Sequence, residues 1–260
     1  MKKTYYRSKE YRCGEYRDVY IYPVFPTSQN RTPGKRIRKK PTRKAQEKLN
    51  HRHAAEKLTR VLHTNFTEED ISLTLTWREN PTSNEEAVKE IQKYLRKIRY
   101  RYKKTGIELK YVWQVEKSSR GRYHAHMVVS GGLDRDTLEK LWGKGYANSK
   151  RLQFDRQGLV ALAKYMTKSH HDEDEERITY RSYNGSKNLI DPPPEISDSK
   201  IRSKKKAKEL ADMDWNSWHE IWPEYEVTDL QSFCSDEYGS VYIFARLYKN
   251  PPKNLLRKRE

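Results

Sequence analysis

Hydrophobic and polar residues alternate most plainly at 71–77 (ISLTLTW), where Ile71, Leu73, Leu75 and Trp77 interleave with Ser72, Thr74 and Thr76. Alternation with a period of two sends successive side chains to opposite faces, so this segment is predicted to be a half-buried strand. After Pro81 the period changes. Val88, Ile91, Tyr94, Leu95, Ile98 and Tyr102 recur at helical spacing as far as Gly106, and Ser83 followed by Glu86 forms a capping box at the start. Two further strands are predicted at 111–116 (YVWQVE) and 123–130 (YHAHMVVS), joined by the polar turn 117–122 (KSSRGR). A short helix capped by Asp134 follows at 136–142, then an extended piece near 151–154 and a helix over about 156–168. Upstream, Leu49, Ala54, Leu58, Val61 and Leu62 suit an amphipathic helix from 44 to about 62, and 11–25 contains a short β-rich run. Beyond the prolines at 192–194 the pattern predicts a helix at about 201–213, a Trp-rich piece and a last strand at 240–248. The order strand–helix–strand–strand–helix between 70 and 170 implies an α+β fold, a central antiparallel sheet flanked by helices. The domain reading is a β-run and flexible basic arm over 1–44, a main domain over 45–195, and a helix–strand extension over 196–260 able to pack on it.

Composition sharpens this picture. The chain of 260 residues has 54 Lys+Arg against 36 Asp+Glu, a formal net charge of +18. That excess favours a polyanionic partner, most simply nucleic acid. No stretch approaches the run of about 20 apolar residues that spans a bilayer, and the N-terminus lacks the apolar core of a secretory signal. Two cysteines cannot make a disulfide framework, so a reduced, cytoplasmic setting is expected. The charge is concentrated at 31–44, which holds eight basic residues and no acid. Lys35, Arg36, Arg38, Lys39, Lys40, Arg43 and Lys44 are the expected phosphate contacts of this arm. His51, His53 and His63 are expected at surface or boundary positions of the first helix.

The candidate chemistry lies elsewhere. His124 and His126 stand two apart on a predicted strand, so both imidazoles point to one face. If the 117–122 turn is symmetric about Arg120, Glu116 lies opposite His124 and Gln114 opposite His126. Glu116, His124 and His126 would then form a carboxylate–imidazole cluster with open positions, suited to Mg²⁺ or Mn²⁺, with Zn²⁺ also possible. On the helix at 156–168, Tyr165 and Lys168 lie off the buried stripe as i, i+3 neighbours. A tyrosine beside a cation can act as a nucleophile.

Taken together, ISLTLTW (71–77), the acid and His–apolar–His pair in VEKSSRGRYHAH, LAKYMTK (162–168) and LEKLWGKG (138–145) resemble the HUH endonucleases. Within that family they are similar to the rolling-circle replication initiators of bacterial plasmids and phage-like elements. The resemblance covers about 45–195. It implies a ferredoxin-like palm in which Glu116, His124 and His126 hold a divalent metal. Tyr165 would attack a phosphate of single-stranded or hairpin origin DNA, and Lys168 would position that phosphate or the metal. It further implies a 5′-phosphotyrosyl intermediate, a free 3′-OH for a polymerase, and reliance on a host helicase, since no phosphate-loop motif is present. Two other readings stand beside it: a DNA- or RNA-binding protein without catalysis, and an HUH relaxase or transposase.

Overall fold

The computed structural model describes residues 5–25, 43–167, 182–235 and 239–249. The chain forms two compact units, one from 43–191 and one from the two terminal segments, 1–42 and 192–260.

The 43–191 unit carries α1 (Arg43–Asn65), β3 (Ile71–Thr76), α2 (Asn84–Thr105), β4 (Tyr111–Lys117), β5 (Tyr123–Val129), α3 (Arg135–Trp142), β6 (Ala147–Arg151), α4 (Val160–Thr167) and the two-residue β7 (Asn184–Gly185). Its sheet runs β6-β3-β5-β4-β7, antiparallel at every pairing. Leaving out the short β7, this is the βαββαβ split with strand order 4-1-3-2, the ferredoxin-like arrangement. Each strand alternates. Ile71, Leu73, Leu75, Trp113, Val115, Ala125, Met127 and Val129 turn one way and pack on Ile91, Tyr94, Ile98 and Tyr102 of α2 and on Leu138 and Trp142 of α3. On the opposite side Val112 and Val128 pack beneath Leu58, Leu62 and Phe66 of the α1 segment and Ala163 and Met166 of α4.

The ends of the helices follow local chemistry. Ser83 caps α2 by accepting from Glu86 N–H, and Glu86 in turn accepts from the backbone N–H and hydroxyl of Thr82. Asp134 caps α3 by accepting from Thr137 N–H. The segment LEKLWGKG is a clamp on the end of β3. Trp142 Nε1 donates to Thr76 O (2.8 Å), and the backbone N–H groups of Thr76 and Arg78 donate to Tyr146 O and Lys144 O. Gly145 permits this approach, because a Cβ there would lie 2.4 Å from Thr76 O.

The terminal unit joins two segments that the linear pattern leaves apart. β1 (Tyr5–Cys13) and β2 (Tyr16–Val24) share one five-stranded sheet, order β8-β1-β2-β10-β9, with β8 (Pro194–Ser197), β9 (Tyr225–Ser235) and β10 (Ser240–Lys249). Helices α5 (Lys204–Ala211) and α6 (Trp215–Ile221) pack on one face, burying Val19, Ile21, Ile243 and Ala245 with Leu210, Trp218 and Trp222. Most of the tryptophans of this region are therefore core: Trp218 and Trp222 are 3% exposed, whereas Trp215 is 55% exposed.

Candidate active site

The hairpin of β4 and β5 pairs Glu116 with His124 and Gln114 with His126, the register expected from a turn centred on Arg120. Two hydrogen bonds hold that turn, Ser118 N–H to Arg122 O and Gly121 N–H to Ser118 O, and Asn80 fastens it to the β3–α2 loop. Because directly opposed residues share a face, the four side chains emerge together. They lie on the side of the sheet covered by α1 and α4, beyond the patch where those helices bury Val112 and Val128.

Helix α4 delivers Tyr165 to this face. Val160, Ala163, Met166 and Thr167 are buried, which turns Tyr165 outward at 47% exposure, so a substrate can reach its hydroxyl. Helix α1 grips α4 at both ends. His63 Nε2 accepts from Leu159 N–H (2.8 Å), and His51 Nδ1 lies 3.2 Å from Thr167 O, to which it can only donate. His63, expected at the surface, is instead 4% exposed, because the start of α4 needs an acceptor that the helix cannot supply for itself.

The result is a convergence on one imidazole. His126 Nε2 lies 3.1 Å from Glu116 Oε1 and 3.2 Å from the Tyr165 hydroxyl, and the two rings meet edge-on at 4.6 Å. The ring's other nitrogen, Nδ1, lies 3.5 Å from Thr74 Oγ1. If Nε2 carries a proton it can donate to Glu116; if it does not, it can accept from Tyr165. Burial, together with the negative charge of Glu116, pushes the Tyr165 phenol above its usual range. Burial also lowers the His124 imidazole, against the opposing pull of Glu116, which favours its neutral, electron-pair-donating form.

The structure thus brings Glu116, His126 and Tyr165 into contact and puts His124 beside them in the same register. Among the described residues no three His, Cys, Asp or Glu side chains converge tightly enough to enclose an ion as they stand. The donor set still fits a divalent cation in chemistry. A carboxylate and two imidazoles share one face, and the buried Gln114 Oε1 opposite His126 has no hydrogen-bond partner. The hairpin register places Gln114 here, but the sequence does not mark it as a donor; an unpartnered buried acceptor is visible only in three dimensions. Lys168 and the arm residues Lys35, Arg36, Arg38, Lys39 and Lys40 lie outside the described residues, and Arg43 and Lys44 form the first turn of α1. No helix among the described residues is long and apolar enough to cross a membrane.

Comparison with known proteins agrees with this geometry. Residues 70–170 match the family described as replication-associated protein ORF2. A search of curated proteins and a search of solved structures each gave no match. The matched stretch runs from the start of β3 to just past α4 and contains Glu116, His124, His126 and Tyr165, so the sheet and site of the 43–191 unit belong to the replication-associated protein ORF2 family.

Proposed function

We propose that this replication-associated protein starts replication by nicking single-stranded origin DNA, with Tyr165 as the nucleophile. The observation that carries the reading is the contact of the Tyr165 hydroxyl with His126, itself in contact with Glu116 on the paired strand. A phenol so exposed, yet held against an imidazole–carboxylate pair, is arranged for attack on a phosphodiester. The phenolic oxygen forms a bond to phosphorus, the bond from phosphorus to the 3′ oxygen breaks, and the phenolic proton leaves. The products are a 5′-phosphotyrosyl enzyme and a 3′-OH that a polymerase can extend. Attack by a 3′-OH on the phosphotyrosine reverses the step and rejoins the strand without ATP.

Glu116, His124 and His126, with Gln114 as an additional oxygen donor, would hold Mg²⁺ or Mn²⁺. Such an ion, when bound, stabilises charge developing on the phosphate oxygens. The chain's own contribution is positional: α1 fixes both ends of α4, and α4 fixes the phenol. The basic arm, with Lys168 near the phosphate, would add affinity without base choice. A host helicase would supply the unwound strand.

The test is direct. The full chain is incubated with labelled single-stranded origin DNA and Mn²⁺, denatured, and examined for a covalent band. An adduct mapped to Tyr165 and lost in Tyr165→Phe is the expected result. An undiminished adduct in Tyr165→Phe would overturn the assignment, and DNA binding with no adduct in the unaltered chain would leave a binding protein only.

A further inference from the structure

We propose that the outward side of the edge strand β6 is the track for the single strand beside the cleaved phosphate, with Tyr146 as its base-stacking platform. This rests on the reading of the site as one acting on single-stranded DNA. It concerns residues outside the nucleophile and the donor set.

The argument begins with register. β6 pairs with β3 so that Ala147 faces Leu75, Asn148 faces Thr74, and Lys150 faces Ser72. The bond from Thr76 N–H to Tyr146 O (2.8 Å) extends the ladder by one pair. Alternation then divides the strand cleanly. Ala147 packs toward α2 and α3, and Ser149 turns the same way, where its N–H and hydroxyl both donate to Glu139 of α3. Tyr146, Asn148 and Lys150 therefore point to the other side, the side of Thr74, Thr76, His124 and His126.

Two rows cross the sheet there. One runs Tyr146, Thr76, His124, Glu116; the next runs Asn148, Thr74, His126, Gln114. Strands lie about 4.8 Å apart, so Tyr146 stands roughly 10 Å from His124, two strands away. Among the described residues Tyr146 is the most exposed large aromatic or aliphatic side chain, at 68%. The helices α1 and α4 cover the row of Val128 and Val112, to which Lys150 belongs, and leave the Tyr146 row to solvent.

The chemistry of these outward positions suits a single-stranded nucleic acid. A phenol ring offers a flat face to any base, an amide offers a donor and an acceptor, and an ammonium meets a phosphate. No acid stands on the outward side of β6 to repel the backbone. A duplex, whose bases are already stacked on one another, cannot use Tyr146 in this way.

The experiment measures binding of fluorescein-labelled oligothymidine to the full chain by anisotropy, beside a duplex control and a thermal melt of each variant. Tyr146→Ala should raise the dissociation constant for the single strand about tenfold, equal to about 1.4 kcal/mol and within the range of base–aromatic stacking. Duplex affinity should stay within twofold, and Tyr146→Phe and Tyr146→Trp should keep single-strand affinity near the unaltered value. Lys150→Gln should lower the slope of log affinity against log salt by somewhat less than one, as for one phosphate contact on a single strand. Unchanged single-strand binding by Tyr146→Ala overturns the track, and so does an equal loss in Tyr146→Phe, which would assign the effect to the hydroxyl. The adduct assay reads the nicking reaction separately. Its failure with oligothymidine binding intact removes the reaction alone, and nicking with a silent Tyr146→Ala removes the track alone.

Discussion

Two glycines two residues apart, Gly143 and Gly145, should fail for different physical reasons. Gly143 ends α3 in the left-handed region (φ 61°), yet a Cβ there would meet nothing closer than Lys140 O at 3.9 Å. Its substitution by Ala therefore costs only the backbone preference, about 1–2 kcal/mol, and Asn, which tolerates that region, should recover most of it. At Gly145 the Cβ would fall 2.4 Å from Thr76 O, 2.6 Å from Arg78 N and 2.9 Å from Trp77 C, all backbone atoms. Something must shift, and what shifts is the end of β3. Overpacking of this kind costs about 1–3 kcal/mol. Weakening the three bonds that hold the clamp, Thr76 N–H to Tyr146 O, Arg78 N–H to Lys144 O and Trp142 Nε1 to Thr76 O, adds about 0.5–1.5 kcal/mol for each one lost. Gly145→Ala should therefore lose about 2–4 kcal/mol in urea denaturation followed by tryptophan fluorescence, with Asn no better than Ala. Because Thr76 is paired with His124, adduct formation should fall in Gly145→Ala and persist in Gly143→Asn. A Gly145→Ala protein as stable as the parent, or one rescued by Asn, would refute the close-approach argument.

Other outcomes follow from the same structure. Asp18 and Arg246 form a buried bidentate pair at 2.8 and 3.1 Å, so Asp18→Ala should cost about 3–5 kcal/mol by stranding the guanidinium, and Asp18→Leu with Arg246→Met should restore most of it in urea melts. Burial alone would raise the Glu10 carboxyl, but hydrogen bonds from Lys200, Trp222 and Arg17 outweigh it and hold the group below its usual 4.5. Its stabilisation is therefore fully present above pH 4.5 and is lost as pH falls through the depressed folded value; Glu10→Gln should flatten the acid limb of a pH–stability curve. His63→Ala removes the acceptor for Leu159 N–H and should cost about 1–3 kcal/mol, with faster amide exchange at the start of α4. Gln114→Ala should weaken Mn²⁺ binding measured by calorimetry while leaving the thermal midpoint of the metal-free chain unchanged or higher, since it deletes an unpartnered buried acceptor.

Much of the 43–191 unit is legible in the sequence because its chemistry is local. Alternation in ISLTLTW marks a strand, Ser83 with Glu86 and Asp134 with Thr137 mark helix starts, and a six-residue turn with a defined centre sets which residues oppose Glu116 and Gln114. Other elements carry a weaker signal. α4 begins at Val160 rather than near 156, because residues 155–158 close a tight turn with Gly158 at φ 74°. β1 escapes the linear pattern because its buried side includes Ser8 and Glu10, so no apolar alternation betrays it; β9 escapes it because most of the strand is exposed.

What the sequence alone determined is the identity and spacing of the reactive groups: two imidazoles at i and i+2, a carboxylate at a computable register, and a tyrosine off a buried stripe. Periodicity and turn length are short-range, and a one-dimensional chain displays them. Only the tertiary structure decided that α1 clamps α4 through His51 and His63, that Tyr165 meets His126 rather than solvent, that Gln114 lacks a partner, and that Tyr146 lies in the row of His124. Those relations join residues dozens of positions apart. Sheet order and helix packing set them, and no local pattern encodes either.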